Sequence, residues 1–265
     1  MKNFTFFLFF ILSYQAITRE IPRELKDIGV DEQLGRQIHI DGLEFFDENG
    51  EKKSFASYFG KDKKPIILML GYYECPRLCG LLFNGFSNSA RYLNWTIGEE
   101  FDVIIVSINP DEKSDLARAK KENYLKHYAR IPAKEGWHFL TSDEKNVTSL
   151  ARQVGYKYRY DPAIEQYAHA AAIMILTPEG RVSRYLYGLD FKVTDLKVSL
   201  LEASKGQIGS MMEQLILFCY QYDPDSRSYS FMISRLMKLA GALTLLILGA
   251  YLFIFWRGQV KLRHA

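Results

Sequence analysis

Cysteine is scarce in this chain, with three among 265 residues. That excludes a small disulfide-stapled scaffold, in which bridges replace a core too small to hold itself together. An excess of one charge sign is also missing. The 34 basic and 31 acidic side chains leave a formal charge of +3, spread along the chain with no basic stripe of the kind nucleic acid requires. Nucleic acid is therefore set aside as a partner. There is no internal repeat and no low-complexity linker. What is plentiful is apolar: 48 % hydrophobic and 14 % aromatic residues fill a complete core in one or two domains at this length. A core that needs no staple leaves the few cysteines for chemistry.

Both ends are apolar, for different reasons. Phe4 to Leu12 is a short run after Lys2, about half a membrane thickness as a helix, with Ala16 and Thr18 as small residues before a cut. This predicts a signal peptide over 1–18. Leu239 to Trp256 holds eighteen residues without a charge, bracketed by Lys238 and Arg257, with Tyr251 and Trp256 near one interface. A transmembrane helix is expected over 231–256. Lys and Arg are balanced on its two sides, so orientation follows from the signal peptide: the main domain lies outside the cytoplasm and a tail, 257–265, inside. Between the ends the expected layout is a linker at 19–40, a folded domain at 41–205 and a juxtamembrane segment at 206–230.

The domain alternates strands and helices. Gly42 to Phe46 and Lys52 to Phe55 flank Asn49-Gly50, which predicts a hairpin with a type I′ turn. Pro65 to Leu70 is an apolar strand. A helix follows from Cys79 to Trp95, then a strand at Phe101 to Ile108, an amphipathic helix at Ser114 to Tyr128, a strand at Trp137 to Thr141 and a helix at Glu144 to Val154. The last unit is a hairpin, Ala170 to Leu176 with Val182 to Tyr187 across Pro178-Glu179-Gly180, closed by a helix from Thr194 to Ala203. Crossover helices imply parallel strands, and the final hairpin makes the α/β sheet mixed.

Cys75-Pro76-Arg77-Leu78-Cys79 places two thiols four residues apart, directly after a strand and at the start of a helix. That is the thioredoxin-like arrangement. Such a pair can ligate a soft metal, exchange electrons as a dithiol and disulfide, or pack as two small hydrophobes. A helix N-terminus, with its partial positive charge, favours the thiolate that ligation and nucleophilic attack both need. His169 precedes the strand of the final hairpin, where thioredoxin-like redox enzymes carry a cis-proline. Brought against two thiolates, it would complete a Cys₂His set, which suits copper.

These residues resemble the Sco/SenC family, copper-binding proteins that help assemble the dinuclear copper centre of cytochrome c oxidase. The resemblance rests on Gly71-Tyr72-Tyr73-Glu74-Cys75-Pro76-Arg77-Leu78-Cys79, on Val106-Ser107-Ile108-Asn109-Pro110, and on Tyr167 to Ile173 followed by Thr177-Pro178-Glu179-Gly180. Leu217 to Pro224 before an apolar run is similar to the bacterial branch that carries its anchor at the C-terminus. The resemblance implies a thioredoxin-like fold with an inserted β-hairpin and copper, as Cu(I) or Cu(II), on Cys75, Cys79 and His169. It also implies the copper-centre subunit of the oxidase and a thiol reductant as partners, and a place on the outer face of a bacterial inner membrane. Two positions depart from the family pattern: Gly80 stands where a proline is usual, and Asn109 where an aspartate is common. The second puts in doubt a role for that acid in docking or in tuning the site.

The expected function is therefore a copper-delivery or assembly factor, not an enzyme. The alternative is a thiol-disulfide oxidoreductase, with Cys75 attacking and Cys79 resolving. A peroxidase would want a Ser or Thr just before an isolated cysteine, and closed structural zinc wants four ligands. Cys219 sits in the apolar stretch before the expected anchor and is read as a packed or interfacial thiol, with a fourth copper ligand or an intermolecular disulfide as the alternatives. Tyr156, Tyr158, Tyr160 and Tyr167 are expected in a mobile, partly apolar loop over the metal.

Overall fold

A computed structural model of the chain describes residues 28–60, 63–75, 78–208, 220–223 and 228–231, with 241, 244, 245, 248 and 249. Two compact units divide at Gly206 and Gln207. The first holds β1 (Gly29–Val30), β2 (Glu44–Phe46), β3 (Lys52–Ser54), β4 (Ile66–Gly71), α1 (Leu78–Arg91), β5 (Asp102–Ser107), α2 (Ser114–Tyr128), a short α3 (Ala133–Gly136) and β6 (Trp137–Leu140). There follow α4 (Glu144–Gln153), β7 (Tyr156–Asp161), β8 (Gln166–His169), β9 (Ala172–Leu176), β10 (Val182–Tyr187) and α5 (Val193–Ser204).

Five strands form one mixed sheet in the order β10-β9-β4-β5-β6, parallel from β4 to β6 and antiparallel on the β9 side. β4 and β9 are buried along their whole length, as continuous apolar runs must be when both sheet faces are covered. Ile66 to Leu70, Val103 to Val106 and Ile173 to Leu176 make the centre of the core. Around it α1 touches α2 and α5, and α2 lies on β6. Helix α2 buries Ala117, Lys121, Tyr124 and Tyr128, one stripe at helical spacing, and Lys121 pairs with the buried Glu48 at 2.5 Å. Asp143 caps α4 by accepting from Asn146 N at 2.8 Å.

Three local expectations are corrected. The turn at Asn49-Gly50 is not type I′, because Gly50 has φ +83° while Asn49 has no positive φ. The loop spans Asp47 to Glu51 instead: Gly50 N donates to Asp47 O, and the Asp47 carboxylate accepts from Asn49 N and Glu51 N. A side chain that offers its own turn acceptor wins over the dipeptide preference. Helix α1 ends at Arg91 rather than Trp95, where the Arg130 guanidinium donates to the carbonyls of Arg91, Leu93 and Trp95. The tyrosines expected in a loop form a paired hairpin, β7 with β8, in register from Tyr158↔His169 to Asp161↔Gln166.

Within the segment expected as a linker, residues from Gly29 onward pack on the domain. β1 pairs with the start of β7, Gly35 N and Ile38 N donate to Val182 O and Gly180 O, and Ile38 is buried. Gly155, at φ +67°, lets this strap pass, since a Cβ there would lie 1.8 Å from Asp31 O. In the second unit Tyr220–Asp223 and Ser228–Phe231 form an antiparallel pair, β11 and β12. That pair takes in Phe231, the first residue of the expected membrane helix. Among the described residues no helix is long and apolar enough to cross a membrane. The signal peptide, Cys219, most of 231–256 and the tail lie outside the described residues.

Candidate metal centre

The site is built where β4 ends. Its last residue, Gly71, leaves the space that the second thiol fills: a Cβ there would meet Phe83 Cζ at 3.0 Å and Cys79 Sγ at 3.2 Å. Cys79, in the first turn of α1, is 1 % exposed, while Cys75 before the helix is half-buried. Neither thiol is in a disulfide. Cys79 N lies 3.4 Å from Cys75 Sγ and Tyr72 N lies 3.4 Å from Cys79 Sγ, so backbone donors face both sulfurs.

His169, the last residue of β8, arrives from the other side. Its Nε2 lies 2.9 Å from Cys79 Sγ, and one ligand atom from each of Cys75, Cys79 and His169 falls within 4.8 Å of the others. Its Nδ1 lies 2.8 Å from Tyr156 Oη and 3.0 Å from Ala170 O. The Tyr156 hydroxyl donates to Ala170 O at 2.7 Å or to Leu70 O at 3.0 Å. A hydroxyl already donating to a carbonyl can only accept from the imidazole, so the proton sits on Nδ1. The Nε2 lone pair then points at the thiols, the tautomer a metal ligand needs.

Burial disfavours the charged forms of Cys79 and His169 in the metal-free site. Burial lowers the basicity of His169, and its contact with Ala170 O opposes this only partly. Burial likewise pushes the Cys79 thiol well above its ordinary value, with the neighbouring Cys75 adding to it. For Cys79 the ready ionisation expected at a helix start is not found, because desolvating the thiolate costs more than the one N–H from Tyr72 returns. A metal cation has to displace the Cys79 proton.

An aromatic wall covers the site. Tyr72 packs edge-on against Tyr167 at 5.6 Å and His169 at 6.3 Å, and Tyr167 meets Tyr160 at 5.0 Å and Tyr158 at 6.1 Å. Tyr156 differs from the other three, being buried beneath His169 rather than lying over it. Its period-two alternation, Tyr156-Lys157-Tyr158-Arg159-Tyr160-Asp161, is the strand signal that identifies this hairpin. Glu112 is a residue the sequence did not single out: its carboxylate accepts from Tyr73 N and Glu74 N, both at 2.8 Å. Asn109 accepts from Asp111 N within its own loop.

The donor set suits a soft metal. Two sulfurs and an imidazole with its second nitrogen already engaged form a three-coordinate set of the copper type.

The family model for SCO1/SenC matches residues 32–196. No curated protein sequence matches the chain. Among solved structures it is similar to a putative electron transfer protein from Aquifex aeolicus VF5, with 21 % identity, 66 % of this chain and 95 % of that one covered, and a TM-score of 0.56. It is similar to BsSco, a member of the Sco family of cytochrome c oxidase assembly proteins, at 15 % identity, 68 % and 98 % coverage and a TM-score of 0.50. Arabidopsis thaliana ScoI, solved with copper bound, matches at 17 % identity, 62 % and 96 % coverage and a TM-score of 0.49. At such identities the likeness concerns the fold.

Proposed function

The chain belongs to the SCO1/SenC family, and from that we propose that it binds copper on Cys75, Cys79 and His169 and delivers it during assembly of cytochrome c oxidase. The observation that carries this is the convergence of two thiols outside any disulfide and an Nε2 lone pair within 4.8 Å. Copper is the cargo. Cys79 and His169 hold it from the buried side, each oriented by the fold, and Cys75 holds it from the half-exposed side, where a partner's thiolates can exchange with it. The receiving partner is the copper-centre subunit of the oxidase. The apolar ends support a signal peptide and a C-terminal anchor, with the domain on the outer face of a bacterial inner membrane.

Outside the cytoplasm thiols tend to oxidise, so copper binding depends on a thiol reductant that keeps Cys75 and Cys79 apart. Anaerobic copper titration of the full-length chain, reduced and oxidised, tests the proposal. One copper per reduced chain and no tight binding to the disulfide form is the expected result. Equal tight binding to both forms, with the disulfide shown intact by mass, would remove the thiols from the site.

A second reading, thiol-disulfide exchange, is favoured by the asymmetry of the pair. Half-exposed Cys75 can attack a substrate disulfide, forming a mixed disulfide and releasing one substrate thiolate. Buried Cys79 then loses its proton and displaces the second, so two electrons pass to the substrate and Cys75–Cys79 is left oxidised. Once the thiol reductant has returned two electrons to Cys75 and Cys79, the same chain can bind copper and load the oxidase cysteines it has prepared.

A further inference from the structure

Four backbone N–H groups follow β4 in succession, and each has an acceptor. Tyr72 N donates to Cys79 Sγ at 3.4 Å, Tyr73 N to Glu112 Oε2 at 2.8 Å, Glu74 N to Glu112 Oε1 at 2.8 Å and Cys75 N to Tyr72 O at 3.4 Å. The two short bonds end on one carboxylate, whose oxygens accept from consecutive amides as a fork. Glu112 is 4 % exposed, and its third bond comes from Ser107 Oγ at 2.5 Å. A buried carboxylate is costly unless donors satisfy it, and three donors aimed at one group make a built clamp.

The clamp joins two loops. Ser107 ends β5 opposite Gly71 in the ladder, and Ile108 N donates to Gly71 O at 2.8 Å, so the chain carrying Cys75 is tied to the chain carrying Glu112 from its first residue. The Tyr73 hydroxyl adds a tie to Leu140 O at 2.8 Å. Cys79 is placed by α1 and its burial, and His169 by Tyr156. The half-exposed Cys75 sulfur is placed by the loop that carries it.

We infer that Glu112 is the positioning residue of this site: its carboxylate holds the Tyr73–Glu74 backbone and so sets where the Cys75 sulfur stands. The consequence for copper rests on the function proposed above; the consequence for the thiol does not.

The test uses the full-length protein with E112Q and S107A, and E48Q as a control for a buried carboxylate elsewhere. E112Q keeps the volume but turns an NH₂ toward a backbone donor and loses one arm of the fork. In reduced, metal-free E112Q, alkylation of Cys75 relative to Cys79 should rise about tenfold. Copper should leave E112Q about 10 to 100 times faster than wild type, with a shifted Cu(II) absorption band. S107A, which spares both amide bonds, should stay within about twofold of wild type. Wild-type alkylation in E112Q, or an equal change in E48Q, overturns the inference. Should E112Q not fold, hydrogen exchange decides on the wild type: Tyr73 and Glu74 amides must exchange as slowly as β4, and fast exchange overturns it. Wild-type protein that fails to bind copper sinks the proposed function instead, while the alkylation and exchange arms still decide Glu112.

Discussion

Replacing Tyr156 by Phe isolates the contribution of one hydroxyl to the metal site. The ring is buried and stays in place, while the oxygen loses its donation to Ala170 O at 2.7 Å or Leu70 O at 3.0 Å and its acceptance from His169 Nδ1 at 2.8 Å. The imidazole proton keeps one partner, Ala170 O at 3.0 Å, so the tautomer survives and only the grip on the ring loosens. Loss of one net buried hydrogen bond costs about 1 to 2 kcal/mol of stability. Loss of an orienting bond on a ligating histidine costs about 10- to 100-fold in metal affinity, and the retained bond puts Tyr156→Phe at the tenfold end, about 1.4 kcal/mol. Urea unfolding of the metal-free protein and competition against a Cu(I) chelator measure the two quantities separately. His169→Ala, which removes the ligand itself, should lose more than Tyr156→Phe and suffer most in its Cu(II) spectrum, while its dithiol still forms a disulfide. The reasoning fails if Tyr156→Phe leaves copper affinity unchanged, or lowers it as far as His169→Ala.

Gly71→Ala should destabilise the domain by about 1 to 3 kcal/mol and disturb the site as well, because the new methyl meets Phe83 Cζ at 3.0 Å and Cys79 Sγ at 3.2 Å; a wild-type melting temperature with wild-type copper binding would contradict this. Burial lowers His138 from 6.5 to about 4, with Glu48 opposing and Lys121 assisting. The unfolded chain therefore binds this proton more readily, so its stabilising effect is complete above about pH 6.5 and drains as pH falls toward 4. Melting temperature against pH should show that fall, flattened in His138→Gln; an equal slope in the variant would assign the fall to other groups. A reporter fused after Ala265 should be cytoplasmic and one fused after Ser204 exported, and the reverse result would place the dithiol in a reducing compartment.

Much of the scaffold was legible because its signals are local. Ser114 to Tyr128 repeats its apolar side chains at helical spacing, and Ile66 to Leu70 and Val103 to Val106 are runs that only buried strands tolerate, so the structure places α2, β4 and β5 where the periodicity puts them. Cys75 and Cys79 were visible as a pair for the same reason, since four residues of separation is a property of the chain. Other features depend on the fold. His169 lies ninety positions from Cys79 and becomes its neighbour only when β8 turns the chain over the end of β4. Tyr156 and Glu112 look ordinary until topology sets one beneath an imidazole and the other against the amides of Tyr73 and Glu74. The ionisation of Cys79 runs against its local cue, because a helix terminus acts within one turn whereas desolvation sums over everything packed around the sulfur. Spacing along the chain thus determined which groups could do the chemistry, and burial and long-range packing decided which of them meet and in what protonation state.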